Sequence, residues 1–430
     1  MKYAVKKATP LPEGLSLVKG KIVGTPTKAC EEGQKVTFVV TGRNGSTTNF
    51  DLTIKIKDSG EEKGINELIQ PDVENKKIDL NGTSIVILPN AQSSYYSEIY
   101  LDMDHDKLPD NNEPLVIGEN TRHDLYSYEI IGYSNAEKAY DGDISITLKS
   151  GKLKKLYGIY GTENAPVSVN GDVNIYLEGI SVSNCVFGSC YGKADNVTVS
   201  YTSGWSDNVD ICAAYESEIT DDVNLVFAEK AVMRGAAESD YAVLGVADSS
   251  VIGGNVNVKG GSETTDYGFM KYGIRNYWTR FTGVSDTEVG GSIIYDIAGV
   301  WIPAENSMVS NCTVEKDVVF CMATDHLSTT SPLVTDTTVA GDLKLVSDEE
   351  TGYKYYSGST VVIDGTSAVE GDLFIDIKKG GFNGNWEPVG ANVSLEKGVY
   401  SRIVPFLNPS RFRLRYRRSA ARHSTVVRNF

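Results

Sequence analysis

Five carboxylates and one backbone carbonyl fall at the loop positions that suit a hard divalent cation. Residues 102 to 113 read Asp-Met-Asp-His-Asp-Lys-Leu-Pro-Asp-Asn-Asn-Glu. Asp102, Asp104, Asp106, Asp110 and Glu113 stand at positions 1, 3, 5, 9 and 12, and the Leu108 carbonyl falls at position 7. Calcium takes about six to eight oxygens, and alternate residues of a curling loop turn inward to supply them. A final Glu binds through both oxygens and closes the shell. Lys107 stands at position 6, where such loops carry the Gly that permits a sharp turn. The lead-in, Ser97 to Leu101, reads as a strand and not as a helix. The expectation is therefore Ca2+ on a β scaffold; the alternative is a solvated acidic hairpin turn.

Acid–base chemistry has fewer candidates. Asp221 with Asp222, Asp207 with Asp210, and Asp325 with His326 are the close pairs. Paired carboxylates hydrolyse glycosidic bonds when the fold holds them roughly 5 to 10 Å apart, but acids at β turns are usually just solvated. Arg275 and His326 stand isolated. No nucleophile elbow, phosphate loop or dinucleotide fingerprint occurs. For binding, Tyr272, Tyr277, Trp278 and Phe281 form the densest aromatic cluster, with Arg275 and Arg280 between them. Aromatic faces stack on sugars and proteins alike; the plainer reading is a packed loop. Trp205, Trp301 and Trp386 lie far apart in sequence.

The elements that must position these residues are strands. After about residue 140 one phrase recurs, a Gly, Asp or Asn followed by alternating apolar residues. Gly142-Asp143-Ile144-Ser-Ile146-Thr-Leu148 and Gly171-Asp172-Val173-Asn-Ile175-Tyr-Leu177 are the clearest cases. It returns at Val197, Val223, Val256, Ile293, Val318, Leu343 and Leu373. Period-2 alternation sends Val, Ile and Leu inward and Asn, Ser, Thr and Lys outward. Such a repeat is one unit that needs its neighbours to bury a face. The expected fold is all-β, with residues 141–400 a parallel β-helix (solenoid) and residues 59–140 its leading coils or cap, carrying the acidic loop. Several β-sandwich domains are the alternative, which would require turn signals every 8 to 12 residues or so and clear linkers.

Residues 1–58 are organised differently. Lys21-Ile22-Val23, Lys35 to Val40 and Phe50 to Lys57 alternate, with the Asn44-Gly45 turn between the last two. Leu11-Pro-Glu-Gly-Leu15, Gly20-Lys-Ile-Val-Gly-Thr-Pro-Thr27 and Val36-Thr-Phe-Val-Val40 resemble the Ig-like, cadherin-like modules found in tandem on bacterial surface proteins. The resemblance covers the last two-thirds of such a module and implies the C-terminal part of a sandwich. It also implies a longer natural chain, with any export signal upstream. The Gly-Asp phrases resemble repeats of large surface proteins from Gram-positive bacteria, and the acidic loop is similar to the Asp-rich loops of such proteins. Together they imply an extracellular, cell-surface location.

Composition narrows the partners. A formal charge of −16 over 430 residues repels nucleic acid. No stretch approaches the ~20 apolar residues of a membrane span. Six Cys without zinc spacing read as buried thiols in strands. Residues 401–430 turn abruptly basic, with seven Arg after Pro409 and no Lys, and are expected to be unstructured or non-native. The expected function is a non-catalytic structural or adhesive surface protein contacting a surface glycan or a host or bacterial surface protein, of undefined oligomeric state. The alternative is a carbohydrate-active β-helix enzyme, a polysaccharide lyase or hydrolase.

Overall fold

Ile144 pairs with Val173 in a parallel ladder, and the same position continues through Val197, Val223, Val256, Ile293, Val318, Leu343 and Leu373. All nine are fully buried. Two residues on, Ile146, Ile175, Val199, Leu225, Val258, Tyr295, Phe320, Leu345 and Ile375 form a second buried column. The recurring phrase is thus one coil, and the coils stack in register. Each such side chain contributes roughly 1.5–3 kcal/mol when it leaves water, which a single coil cannot realise alone. The chain is almost all β and contains a parallel β-solenoid.

This computed structural model describes residues 2–18, 21–24, 26, 28, 30–42, 46–56, 63–90, 93–149, 151–178, 180–207, 210–234, 242–260, 279–298, 307–323, 332–346, 358–361, 363, 366–378, 381–382, 388–389, 391–394, 403–408, 411–416 and 427–428. The chain divides into two compact units, Met1–Gly64 and Ile65–Phe430. Helix is confined, among the described residues, to Ile65–Leu68 and the 3-10 turn Leu125–Ser127.

Three large sheets build the solenoid of the second unit. Sheet I has thirteen strands, sheets II and III nine each. One coil runs from sheet III to sheet I to sheet II, as in Val167–Asn170, Val173–Glu178 and Ile180–Cys190. The inward residues form one core from Ile65 to Ile375. Within it Tyr295 stacks on Phe320, centroids 5.3 Å apart and planes at 9°. The Tyr295 hydroxyl donates to the Met308 carbonyl at 2.6 Å. Gly283, at φ +65°, makes that possible, since a Cβ there would stand 2.8 Å from the Tyr295 oxygen.

Polar ladders hold two of the corners. Between sheets III and I, Asp143 Oδ1 accepts from the Asp172 N–H at 2.8 Å, and the pattern runs on through Asn196, Asp222, Asn255, Ser292, Asp317, Asp342 and Asp372. The Gly of the phrase has its reason here. A Cβ on Gly254 would lie 2.4 Å from Asp222 Oδ1, and one on Gly371 2.6 Å from Asp342 Oδ1. Between sheets II and III the corner is two residues. Its first member is left-handed, at Glu216, Ser249, Asp286, Asn311 and Asp336, with φ from 47 to 51°. Its second is a buried hydroxyl or thiol: Ser217, Ser250, Thr287, Cys312 and Thr337. From sheet I to sheet II the number of residues between described strands varies, from one between Glu178 and Ile180 to eighteen between Gly260 and Thr279.

Antiparallel strands close both edges of sheet I. Ser93–Leu101 pairs with Ile85–Asn90 at one edge. At the other, Arg411–Tyr416 pairs with Leu373–Lys378 and is itself flanked by Ile403–Asn408. Within the basic tail, Ile403–Asn408 and Arg411–Tyr416 are thus strands of sheet I, and the Arg-x-Arg alternation of the second has the period of a strand.

The first unit holds an antiparallel sheet of Lys2–Val5, Cys30–Thr41 and Thr47–Ile56, and a hairpin of Leu15–Val18 with Lys21–Gly24. Val36 and Phe38 are buried, and Phe38 stacks on Phe50 at 5.1 Å. Lys35 and Thr37 both contact the Asp51 carboxylate at 2.7 Å, which holds that carboxyl below the usual Asp range, the Lys35 contact chief among the causes.

Candidate functional site

The acidic loop begins where the edge strand of sheet I ends. Leu101 pairs with Ile85, and the next residue, Asp102, donates its N–H to the Ser84 carbonyl at 3.1 Å. That bond carries Asp102 under the loop, where it is 0 % exposed. The Asp110 N–H returns to the Leu101 carbonyl at 3.0 Å and closes the circuit.

Inside the circuit Asp102, Asp104 and Asp106 brace the backbone two to five residues ahead. Asp102 Oδ1 accepts from the Lys107 N–H at 3.1 Å, Asp104 Oδ1 from Asp106 at 3.2 Å, and Asp106 Oδ1 from Leu108 at 2.7 Å. His105 and Lys107 take φ of 61° and 67°. Lys107 thus adopts the left-handed backbone that the spacing assigned to a Gly, and the turn forms without one. A non-glycine residue held there is strained unless its surroundings over-determine it.

Lys107 is fixed by its side chain. Its Nζ sits 3.5 Å over the Tyr176 ring and 4.0 Å from the Glu178 carboxylate, both on the next coil but one of sheet I. His105 Nε2 lies 2.9 Å from Ser84 Oγ, which accepts the Ser145 N–H at 2.9 Å. The loop therefore lies against the outer face of sheet I.

Of the six expected ligands, the structure brings three carboxylates together. Asp102, Asp104 and Asp106 each offer an oxygen within 4.8 Å of the others. Two ligands on opposite sides of one calcium, each at about 2.4 Å, would be separated by about that distance. Asp110 Oδ2 instead accepts from the Met103 N–H at 2.6 Å, and Glu113 Oε1 from Asn66 Nδ2 at 2.9 Å. Leu108 follows on the same loop, its N–H held by Asp106. Burial pushes the Asp102 carboxyl up to about 6, against the opposing pull of the Lys107 N–H.

The acid–base candidates are placed less suggestively. Asp222 belongs to the corner ladder: its Oδ1 accepts from Asn255 N and Nδ2 at 2.6 and 3.2 Å. Asp221 and Asp210 are exposed. The side chains of Asp207, Trp205, Arg280 and Phe281 lie outside the described residues, as do Tyr272, Arg275, Tyr277, Trp278, Trp301, Asp325, His326 and Trp386 entirely.

One aromatic group was not anticipated as a group. Tyr157 and Phe187 pair across coils on the outer face of sheet II and stack at 5.7 Å with planes 7° apart. Tyr160 packs on Tyr157, and Tyr215 on Phe187 and Tyr191. Their faces are turned on one another, so this seam is wall packing and not an open stacking platform. The signal was present in sequence as Tyr157-Gly-Ile-Tyr160, but only the coil register brings Phe187 and Tyr215 beside it. Cys185, Cys190 and Cys212 are buried free thiols along this seam, and desolvation pushes the Cys190 thiol up to about 11.

No protein-family description, curated protein or solved structure matches the chain. No helix among the described residues is long and apolar enough to cross a membrane.

Proposed function

We propose that the chain is a non-catalytic structural or adhesive module of an extracellular bacterial surface, whose solenoid presents contact surfaces on a rigid wall. The observation that carries this reading is the use made of its acids. Asp143, Asp222, Asp317 and Asp342 accept backbone N–H groups from the following coil, and Asp172 accepts the Asn196 side-chain amide. Lys344 further ties Asp317 to Asp342, at 2.5 and 3.2 Å. These carboxylates are committed to stacking, not held in reserve for proton transfer. Two corners keep a near-constant length while the number of residues between the strands of sheets I and II varies coil by coil, and segments whose length varies on a fixed frame are where proteins place recognition. The resemblance of residues 11–40 to Ig-like surface modules supports the extracellular setting, as does the acidic balance, which keeps nucleic acid away. Surface glycans and surface proteins of a host or another bacterium are the partners this reading implies.

The test is incubation with a panel of plant and host polysaccharides, followed by assay for new reducing ends and unsaturated products, alongside binding to the same panel. Binding without turnover is expected. Turnover would replace the proposal with a polysaccharide lyase or hydrolase.

A further inference from the structure

Buried polar atoms without partners are costly, and native folds contain few of them. Among the described residues three side chains carry one: Asp102 Oδ2, Ser145 Oγ and Thr147 Oγ1. They are not scattered. Ser145 and Thr147 lie on the strand Ile144–Leu148, their exposures 1 % and 0 %. Ser145 is joined through Ser84 Oγ to His105 of the acidic loop, and Thr147 pairs with Tyr176, over whose ring Lys107 sits. All three atoms therefore belong to the seam between the loop and sheet I.

Among them Asp102 stands out. It is a fully buried carboxylate whose Oδ1 has one backbone donor and whose Oδ2 has none. Among the described residues no Lys or Arg forms an ion pair with it: the Lys107 ammonium is turned to Tyr176 and Glu178, and the His105 ring, which draws on the Asp102 charge, has its Nε2 on Ser84 Oγ. Its neighbours Asp104 and Asp106 bring oxygens within 4.8 Å. A carboxylate in this setting needs a cation, and the surrounding donors are all oxygen, hard and anionic.

We propose that Asp102, Asp104 and Asp106 bind one divalent cation of the calcium class, and that the ion clasps the loop to the solenoid wall. Three carboxylates supply the protein charge; water completes a shell of about six to eight oxygens. Calcium is favoured over magnesium because magnesium demands near-ideal octahedral geometry and gives up its waters reluctantly. The ion acts as a clasp because its ligands lie between two anchors, the Asp102 N–H on Ser84 and the Lys107 side chain on Tyr176. This inference is independent of whether the chain is adhesive or catalytic.

The experiment titrates Ca2+, and separately Mg2+, into the EDTA-stripped full chain by calorimetry, with thermal unfolding in EDTA and in calcium. Wild type is expected to bind one Ca2+ per chain, more tightly than Mg2+, and to unfold at higher temperature in calcium. Asp104→Asn/Asp106→Asn is expected to lose the heat and the shift while matching the wild-type circular dichroism spectrum. Asp102→Asn keeps an acceptor for the Lys107 N–H and removes the buried charge. It is expected to be at least as stable as wild type in EDTA and less stable than wild type in calcium. Absence of calcium heat and thermal shift in wild type at millimolar calcium would overturn the proposal. So would an Asp102→Asn variant that gains as much from calcium as wild type does.

Discussion

Cys312 Sγ stands 3.1 Å from the carbonyl of Ser310, two residues before it, as Thr287 Oγ1 stands 2.6 Å from the carbonyl of Ser285 one coil earlier. The thiol occupies a place in a ladder otherwise made of hydroxyls. Ser217, Ser250 and Thr337 each donate to the same relative carbonyl and accept a backbone N–H from a neighbouring coil. Cys312 does both as well, accepting from the Thr287 N–H. Burial pushes its thiol up to about 11, so it is a neutral hydrogen-bonding group and not a reactive thiolate.

Cys312→Ser should therefore leave stability unchanged or raise it, because a hydroxyl is the stronger donor and acceptor. Cys312→Val fills similar space but takes the acceptor from the Thr287 N–H, at a cost of about 1–3 kcal/mol, while the Ser310 carbonyl keeps the Asp286 N–H at 3.0 Å. Urea unfolding of the two variants decides the matter. Equal midpoints would show that the sulfur serves only as packing.

The corner ladder makes a matching prediction at Asp222. Its Oδ1 serves Asn255 N and Nδ2, so Asp222→Ala should destabilise by about 1–3 kcal/mol, whereas Asp222→Asn keeps an acceptor and should lose less. Gly254→Ala, pressed against the same oxygen, should cost about 1–3 kcal/mol by crowding. Thermal melts of the three variants would check the order. An Asp222→Ala melt indistinguishable from wild type would deny the ladder any energetic role.

Glu216 is held at φ 47° where Asn311, Asp286 and Asp336 occupy the equivalent corner. Asn and Asp tolerate the left-handed region and Glu does not. Glu216→Asn should raise stability by about 0.5–1 kcal/mol, read as a higher denaturant midpoint with unchanged slope.

The metal-free protein should respond to pH through Asp102. Its carboxyl is raised from 3.8 to about 6 by burial, so between those values the folded state holds more protons than the unfolded one. Stability from this group is then greatest below about pH 4 and is lost as pH rises through 6, at most by about 3 kcal/mol. The measurement is the difference between wild type and Asp102→Asn in EDTA at pH 5 and pH 7. Asp102→Asn should gain on wild type at pH 7; a difference independent of pH would sink this assignment.

The coil register was legible in the chain itself. Period-2 alternation after each Gly-Asp or Asn marks Ile144, Val173, Val197 and their successors, because an inward side chain must be apolar whatever surrounds the coil. Those same residues are the buried column. The spacing of Asp102, Asp104 and Asp106 was equally visible, since nearby positions in a loop cannot stray far from one another. Residue spacing fell short where a partner came from elsewhere. Asn66 claims Glu113 and Met103 claims Asp110, and neither donor could be read from positions 9 and 12. Burial of Asp102 against Ser84, and the grip of Lys107 on Tyr176, are matters of which surfaces meet. Likewise Tyr157 and Phe187 become neighbours only through the length of one coil. Sequence determined what each strand turns inward; stacking alone decided which outward and loop groups meet, because those contacts join residues a full coil or more apart.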